Sequence, residues 1–262
     1  MKQAPKPVRV TDFFEKKQRG EKITILTAYD ATMARHIDRA GIDAILVGDS
    51  LGTVIMGDEH TLGVTLDMMV HHTRAVRKGA TRALVIADMP FLTFQAGVDD
   101  AVRNAGRLIQ EGGAAAVKLE GGRASAEVIA RLVEIGIPVM GHIGMTPQSV
   151  HQLGGFKKIA GPGTERLLEE ARIVEQAGAF AVVLESIPSK NAREITQALT
   201  IPTIGIGAGP HCDGQVLVSY DALGLFDEFT PSFVKRYAEL GQEVVRSTRE
   251  YIEDVRSGRF PK

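Results

Sequence analysis

The sequence predicts an α/β protein, a (β/α)8 TIM barrel in a single domain with a short N-terminal capping helix, and three observations carry that expectation. Short apolar runs alternate with amphipathic stretches along the 262 residues, the pattern of parallel strands each followed by a helix. Eight such runs occur, at about 23–28, 44–49, 83–88, 115–120, 138–142, 180–185, 202–206 and 222–226, the count that a closed barrel needs. Five of them end on a group that binds or ionises: AILVGDS on Asp49, LVIADMP on Asp88, AAVKLEG on Lys118 and Glu120, PVMGHIG on His142, and AVVLES on Glu185. Barrel chemistry collects at the C-terminal ends of the strands, so these groups are expected on one rim; an open, doubly wound sheet would concentrate its site at one switch point.

The first twenty residues carry a helix signal. Thr11 or Asp12, the latter with Glu15 three residues on, caps a helix that stops at Gly20 and plugs the barrel bottom. Residues 51–66 and 144–163 are longer than the usual strand-to-helix connection and are expected to cover the site. The glycine-rich 204–209 stretch is like a phosphate-binding turn, but glycine equally serves close packing, and phosphate is not the expected ligand. From Phe229 onward, Phe233, Tyr237, Leu240, Val244 and Val245 keep helical spacing, continued by Tyr251, Ile252 and Val255, in a segment that closes the barrel or docks on another subunit. With no interior linker, one domain over 1–262 is the simplest organisation.

An apolar content of 44% supports one large core. Lys and Arg number 31 against 32 Asp and Glu, so the chain lacks the broad positive field that nucleic acid or an anionic membrane requires, and a small molecule is the expected partner. The lone Cys212 excludes an internal disulfide, the first twenty residues show no apolar core of a secretion signal, and no run reaches the roughly 18 apolar residues of a membrane helix. A cytoplasmic protein is expected.

In Val117-Lys118-Leu119-Glu120 the strand period of two puts Lys118 and Glu120 on one face, pointing into the barrel mouth, with Val117 and Leu119 facing the helices. A structural salt bridge is the plain alternative to a functional site there. Asp49, Asp88 and Glu120 bring three carboxylates together, whose repulsion calls for a cation, and an oxygen-only ligand set suits magnesium. Such an ion leaves positions for the carboxylate and ketone oxygens of a 2-oxo acid. Taken alone, Asp49 followed by Ser50 also fits a helix cap. Glu185 ends the most apolar strand, which suits a partly desolvated general base, with a surface-loop glutamate as the alternative. His142, between two glycines, contacts a substrate oxygen or hydrogen-bonds a neighbouring loop; both stay open. His71 and His72 fit packing or solvated roles, and Cys212 beside His211 has no third group to make it a nucleophile.

Seven segments in strand order, TAYD at 27–30, LVGDSLG at 46–52, DMP at 88–90, VKLEGG at 117–122, GHIGMTPQSV at 141–150, LES at 184–186 and GIGAG at 205–209, closely resemble the ketopantoate hydroxymethyltransferase family. The resemblance implies transfer of a hydroxymethyl group from 5,10-methylenetetrahydrofolate to 3-methyl-2-oxobutanoate, giving 2-dehydropantoate for pantothenate and coenzyme A, through an enolate held on Mg2+. It further implies a homodecamer. Onto matching positions it carries Asp49, Asp88 and Glu120 as the magnesium set, Asp49, Ser50, Asp88 and Lys118 around the oxo acid, and Glu185 as proton acceptor. The alternatives are another magnesium-dependent 2-oxo acid carbon–carbon lyase or mutase on the same barrel, a phosphate-binding isomerase, and a catalytically idle scaffold.

Overall fold

The computed structural model describes residues 6–155 and 163–261. These group into two compact units, residues 1–216 and 217–262. The first holds the barrel: β1 (Ile23–Thr27), β2 (Ala44–Val47), β3 (Leu84–Asp88), β4 (Ala116–Lys118), β5 (Val139–Gly144), β6 (Ala181–Glu185), β7 (Thr203–Ile206) and β8 (Gly214–Leu217), whose last residue opens the second unit. Consecutive strands pair in parallel and the sheet is closed. At the seam the Ile23 amide donates to the Asp213 carbonyl at 2.9 Å.

Helices α1 (Val10–Arg19), α2 (Ala31–Arg39), α3 (Leu51–Val54), α4 (Leu66–Gly79), α5 (Val98–Gln110), α6 (Ala126–Glu134), α7 (Val150–Leu153), α8 (Thr164–Gln176) and α9 (Ser189–Ala198) accompany the strands. Local chemistry sets their ends. The Asp30 carboxylate, for example, caps α2 by accepting from the Thr32 and Met33 amides at 2.7 and 2.9 Å, which satisfies donors the first turn leaves free. The long connection at 51–66 holds α3 and a single 3-10 turn, Thr61–Gly63; that at 144–163 holds a turn at Pro147–Ser149 and α7, and its residues 156–162 lie outside the described residues.

Period-two alternation fills the barrel. Ile25, Ala44, Leu46, Leu84, Ile86, Ala116, Met140, Ala181, Val183, Ile204 and Val216 form one buried cluster with Phe13 and Phe180. Phe13 comes from α1 and meets the Phe180 ring edge to face, with centroids 5.5 Å apart, while Val8, Val10 and Phe14 pack against the same cluster. The N-terminal helix is therefore the expected plug. Its cap differs from expectation: the helix begins at Val10 behind Arg9, and Asp12, inside the first turn, accepts from the Arg9 amide at 2.8 Å. Asp12 thus caps from the third helical position, because its side chain reaches back to an amide that has no partner in the helix.

The eighth strand lies at Gly214–Leu217 and not at 222–226. Residues 222–226 end α10 (Ser219–Ala222) and turn, with the Leu225 amide returning to the Tyr220 carbonyl at 2.8 Å and Gly224 in the left-handed region at φ 63°. A short apolar run satisfies a strand or a capped helix end equally well, whereas the true strand is four residues long and only half apolar, with Gly214 and Val216 buried and Gln215 exposed. In the second unit the expected tail helix is α11 (Leu240–Arg256); Phe233 and Tyr237 precede it in irregular chain. Val244, Val245, Tyr251, Ile252 and Val255 are exposed on it.

Phe13→Ala should lower the free energy of unfolding by about 3–5 kcal/mol, the usual cost of emptying a fully buried phenyl site, as read by denaturant titration.

Candidate active site

The same alternation that packs the barrel places its polar layer. Leu84 and Ile86 face inward, and the next inward position is Asp88; Ala116 leads to Lys118 and Glu120, Met140 to His142, and Ala181 and Val183 to Glu185. Four neighbouring strands thus end on ionisable groups aimed at one mouth, and Val117 and Leu119 are buried on the opposite face. Asp88 and Lys118 are register partners on adjacent strands, and their side chains meet at 2.6 Å, each almost wholly buried.

Asp49 arrives differently. Its strand runs inward through Ala44 and Leu46 to Gly48, so Asp49 belongs to the turn beyond β2. A Cβ on Gly48 would stand 2.7 Å from Ser50 Oγ, so the bare glycine lets the turn fold tightly over the mouth. The Asp49 amide donates to Asp88 Oδ2 at 3.1 Å, and Ser50 Oγ pairs with the Tyr29 hydroxyl at 2.9 Å. Gln148, a buried residue that sequence analysis did not single out, binds this group together. Its Nε2 donates to Asp49 Oδ2 and to the Met89 carbonyl, both at 3.0 Å, and its backbone amide donates to Glu120 Oε2 at 3.0 Å. A glutamine in an irregular connection carries no charge and no periodicity; only the long glycine-rich segment around it pointed here.

Burial and charge set the protonation of this cluster. Burial pushes the Asp49 carboxyl up to about 6, the neighbouring Asp88 charge adds to that, and Lys118 and the Gln148 hydrogen bond oppose it. Glu120 is raised well above the carboxylate range by burial and then by Asp49. For Lys118, burial acts to lower the pKa, but Asp88, Glu120 and Asp49 outweigh it and hold the ammonium charged. His142 is lowered by burial and by Lys118, with Glu185 offsetting only part, so its ring is neutral at pH 7.

His142 Nε2 lies 3.2 Å from Glu185 Oε2 and Nδ1 lies 3.7 Å from Glu120 Oε1, yet neither ring nitrogen is aligned for a hydrogen bond, and Glu120 Oε1 has none either. Three buried polar atoms without partners, side by side, are a place kept for something bound, since such groups are costly to leave empty. Glu185, 12% exposed, is the most accessible member. Its backbone is fixed: the carbonyl accepts from the Met145 amide at 3.0 Å, and a Cβ on Gly144, at φ 98°, would come within 2.3 Å of it. Ser186 next takes the left-handed region at φ 51°, unusual for a residue with a side chain, and turns the chain away from the mouth.

The remaining candidates have structural surroundings. His72 Nδ1 pairs with the Tyr29 carbonyl at 2.6 Å and meets His71 edge to face. Cys212 is a free, buried thiol, pushed up by burial. In the 205–209 turn, a Cβ on Gly209 would meet Ser189 Oγ at 2.4 Å and one on Gly205 would meet the Cys212 sulfur at 3.0 Å, so both glycines serve close packing. Among the described residues no three His, Cys, Asp or Glu side chains converge closely enough to hold a metal ion by themselves, and no helix is long and apolar enough to cross a membrane.

A closed eight-stranded barrel with an acid, base and lysine layer at its C-terminal mouth defines a (β/α)8 barrel enzyme. Residues 7–262 match the family model described as ketopantoate hydroxymethyltransferase. Curated relatives named 3-methyl-2-oxobutanoate hydroxymethyltransferase include those of Syntrophus aciditrophicus, 56% identical over 94% of this chain and 91% of that protein, and Clostridium botulinum (strain Alaska E43), 54% identical over 97% and 93%. The chain belongs to the ketopantoate hydroxymethyltransferase family and is a transferase. Similar solved structures include a phosphonopyruvate hydrolase in complex with oxalate and Mg2+ (TM-score 0.64, 14% identity, 96% of this chain and 88% of that one) and 2,3-dimethylmalate lyase (TM-score 0.63, 20% identity, 98% and 87%). These show the shared fold.

Because folded Asp49 holds its proton up to about pH 6, and an unfolded aspartate only to about 4, its contribution to stability is fullest below pH 4 and is lost as pH rises to 6, by about 3 kcal/mol for one isolated group. Asp49→Asn should therefore raise the metal-free Tm by several degrees at pH 8 and hardly change it at pH 4, in thermal unfolding with chelator present.

Proposed function

We propose that the protein transfers a hydroxymethyl group from 5,10-methylenetetrahydrofolate to 3-methyl-2-oxobutanoate, forming 2-dehydropantoate for pantothenate and coenzyme A synthesis. The observation that carries this is the division of the mouth into two halves: a lysine-braced carboxylate group, Asp49, Asp88 and Glu120, faces a neutral His142 beside the accessible carboxylate of Glu185. One half suits the oxygens of a 2-oxo acid and the other suits its C3 proton.

Mg2+ fits the first half, because the donors are all oxygens, Glu120 Oε1 is buried without a partner, and this ion commonly takes only one or two protein carboxylates and fills its other positions with water and substrate oxygens. Of Asp49, Asp88 and Glu120, one or two would hold it directly and the remainder through its waters, and when bound it would supply positive charge that polarises the ketone and acidifies the proton at C3. Lys118, permanently charged and tied to Asp88, offsets the negative charge of the oxo acid's carboxylate, and Ser50 offers it a hydroxyl. Glu185 accepts the C3 proton. His142, neutral and with unpaired ring nitrogens, donates a hydrogen bond to a substrate oxygen. The electron pair left at C3 attacks the one-carbon unit of the donor, water supplies the hydroxyl oxygen, and tetrahydrofolate leaves. The described part of the connection after β5, residues 144–155, delivers Gln148 to the carboxylate group, and its closeness to the mouth supports a role in keeping bulk water from this step.

The lyase and mutase alternative rests on fold likeness alone, and dependence on the folate donor separates it from the transferase. We place the protein in the cytoplasm as a homo-oligomer, a decamer by family resemblance; the exposed apolar residues of α11 support self-association.

Incubated with 3-methyl-2-oxobutanoate, the folate donor and magnesium, the protein should add one CH2O unit to the oxo acid by mass spectrometry, and chelator should abolish the gain; no product from folded protein refutes the transfer. Glu185→Gln should slow exchange of the C3 proton in D2O by about 10²-fold or more while oxo-acid binding persists; exchange at the wild-type rate removes Glu185 as the base.

A further inference from the structure

The mouth opens on one side into a cleft of about 600 Å3, within the roughly 300–1,000 Å3 of pockets that seat whole organic cofactors and larger than a five-carbon oxo acid fills. Glu120 and Gln148 form its inner end, so the cleft and the carboxylate group share a wall. Its outer wall is the connection between β3 and α5, and here Phe91 stands exposed although it is a phenyl ring, beside buried Phe94. On the first turn of α6, Glu127 also lines the cleft, is exposed and has no ion-pair partner among the described residues. An aromatic face, a free carboxylate and an inner end on the reaction centre describe a seat for a flat heteroaromatic ring that carries adjacent N–H donors on its far edge and delivers a group at its near edge.

We propose that this cleft binds the bicyclic pterin ring of the one-carbon donor, with Phe91 against the ring face and Glu127 accepting from the two neighbouring N–H groups of its aminopyrimidinone edge, a placement that rests on the transferase reading above. A carboxylate receives two parallel N–H bonds well, and an aromatic face adds contact at little entropic cost. The outer wall is also wired to the chemistry: Gln95 Nε2 donates to Gln148 Oε1 at 3.0 Å, and Gln148 in turn holds Asp49 and Glu120. A ring pressed against this wall braces the residue that positions both carboxylates. Gln148 is on this account a positioning residue between the two substrates.

The test is binding of tetrahydrofolate to the full-length protein by calorimetry, alongside C3 proton exchange of 3-methyl-2-oxobutanoate in D2O with magnesium and no folate. Phe91→Ala and Glu127→Gln each change an exposed side chain, and unchanged Tm values confirm that both variants fold. Each should weaken tetrahydrofolate binding and raise the KM for the donor by about ten-fold, the effect of one lost face or one lost charge-assisted pair. Proton exchange, which uses no donor, should keep its wild-type rate, and Phe91→Tyr should restore affinity by restoring a flat ring. Wild-type affinity in both variants places the ring elsewhere and overturns the proposal. Absence of exchange and of transfer in the wild type instead refutes the transferase reading, a distinct result because it involves neither variant.

Discussion

The buried contact between Asp88 and Lys118 is the constraint around which the mouth is organised. Two in-register residues on neighbouring parallel strands sit about 4.8 Å apart across the sheet, so once β3 and β4 pair, their charges must either match or repel. An isolated charge at either position would be expensive in this environment. The pair makes each tolerable, and Lys118 then moderates Asp49 and Glu120 as well. Three carboxylates against one ammonium still leave an excess of negative charge. Protonation, which burial favours at both Asp49 and Glu120, lowers that excess, and a bound cation would lower it as well. Proton and metal therefore compete for the same excess.

That arrangement explains the contrast between the two halves of the mouth. The carboxylate half is tightly cross-linked, through Gln148 to the connection after β5 and through the Asp49 amide to Asp88. The His142 and Glu185 half is held from behind by backbone, with Gly144 packed under the Glu185 carbonyl, while the two His142 ring nitrogens make no aligned hydrogen bond. Rigid placement with free polar atoms is what a proton-transfer group needs: its direction is set in advance and its hydrogen-bonding capacity is left for the substrate.

Much of this was legible in the sequence because strand parity is a strong rule. It put Lys118 and Glu120 inward with Val117 and Leu119 outward, and the positions of Asp88, His142 and Glu185 at strand ends marked them for the same rim. Parity fails where the chain leaves the strand. Asp49 reaches the mouth from a turn, and Gln148 does so from an irregular connection, where no period exists to read. The misplaced eighth strand has a similar cause: four residues containing a glycine and a glutamine bury too little apolar surface to stand out against the run at 222–226, which caps a helix instead. Asp12 was recognised as a capping residue, but the donor it satisfies lies three residues upstream, a distinction between the N-cap and the third helical position that composition does not make.

The latch at the bottom of the barrel bears on how the chain is made. Lys17 of the plug helix donates to Asp213 Oδ2 at 2.8 Å and to the carbonyls of Thr196 and Ile201, while Asp213 also receives the Thr203 amide. These partners lie 179 to 196 residues downstream. During synthesis the helix that carries Phe13 emerges before every strand of the barrel, whereas its anchoring acid, Asp213, appears only just ahead of the last strand. Through most of translation the plug has no socket, and its aromatic face stays available to other surfaces. Barrel closure is consequently a long-range event, and the buried face of α1 meets its full set of partners only once the final strand has been made.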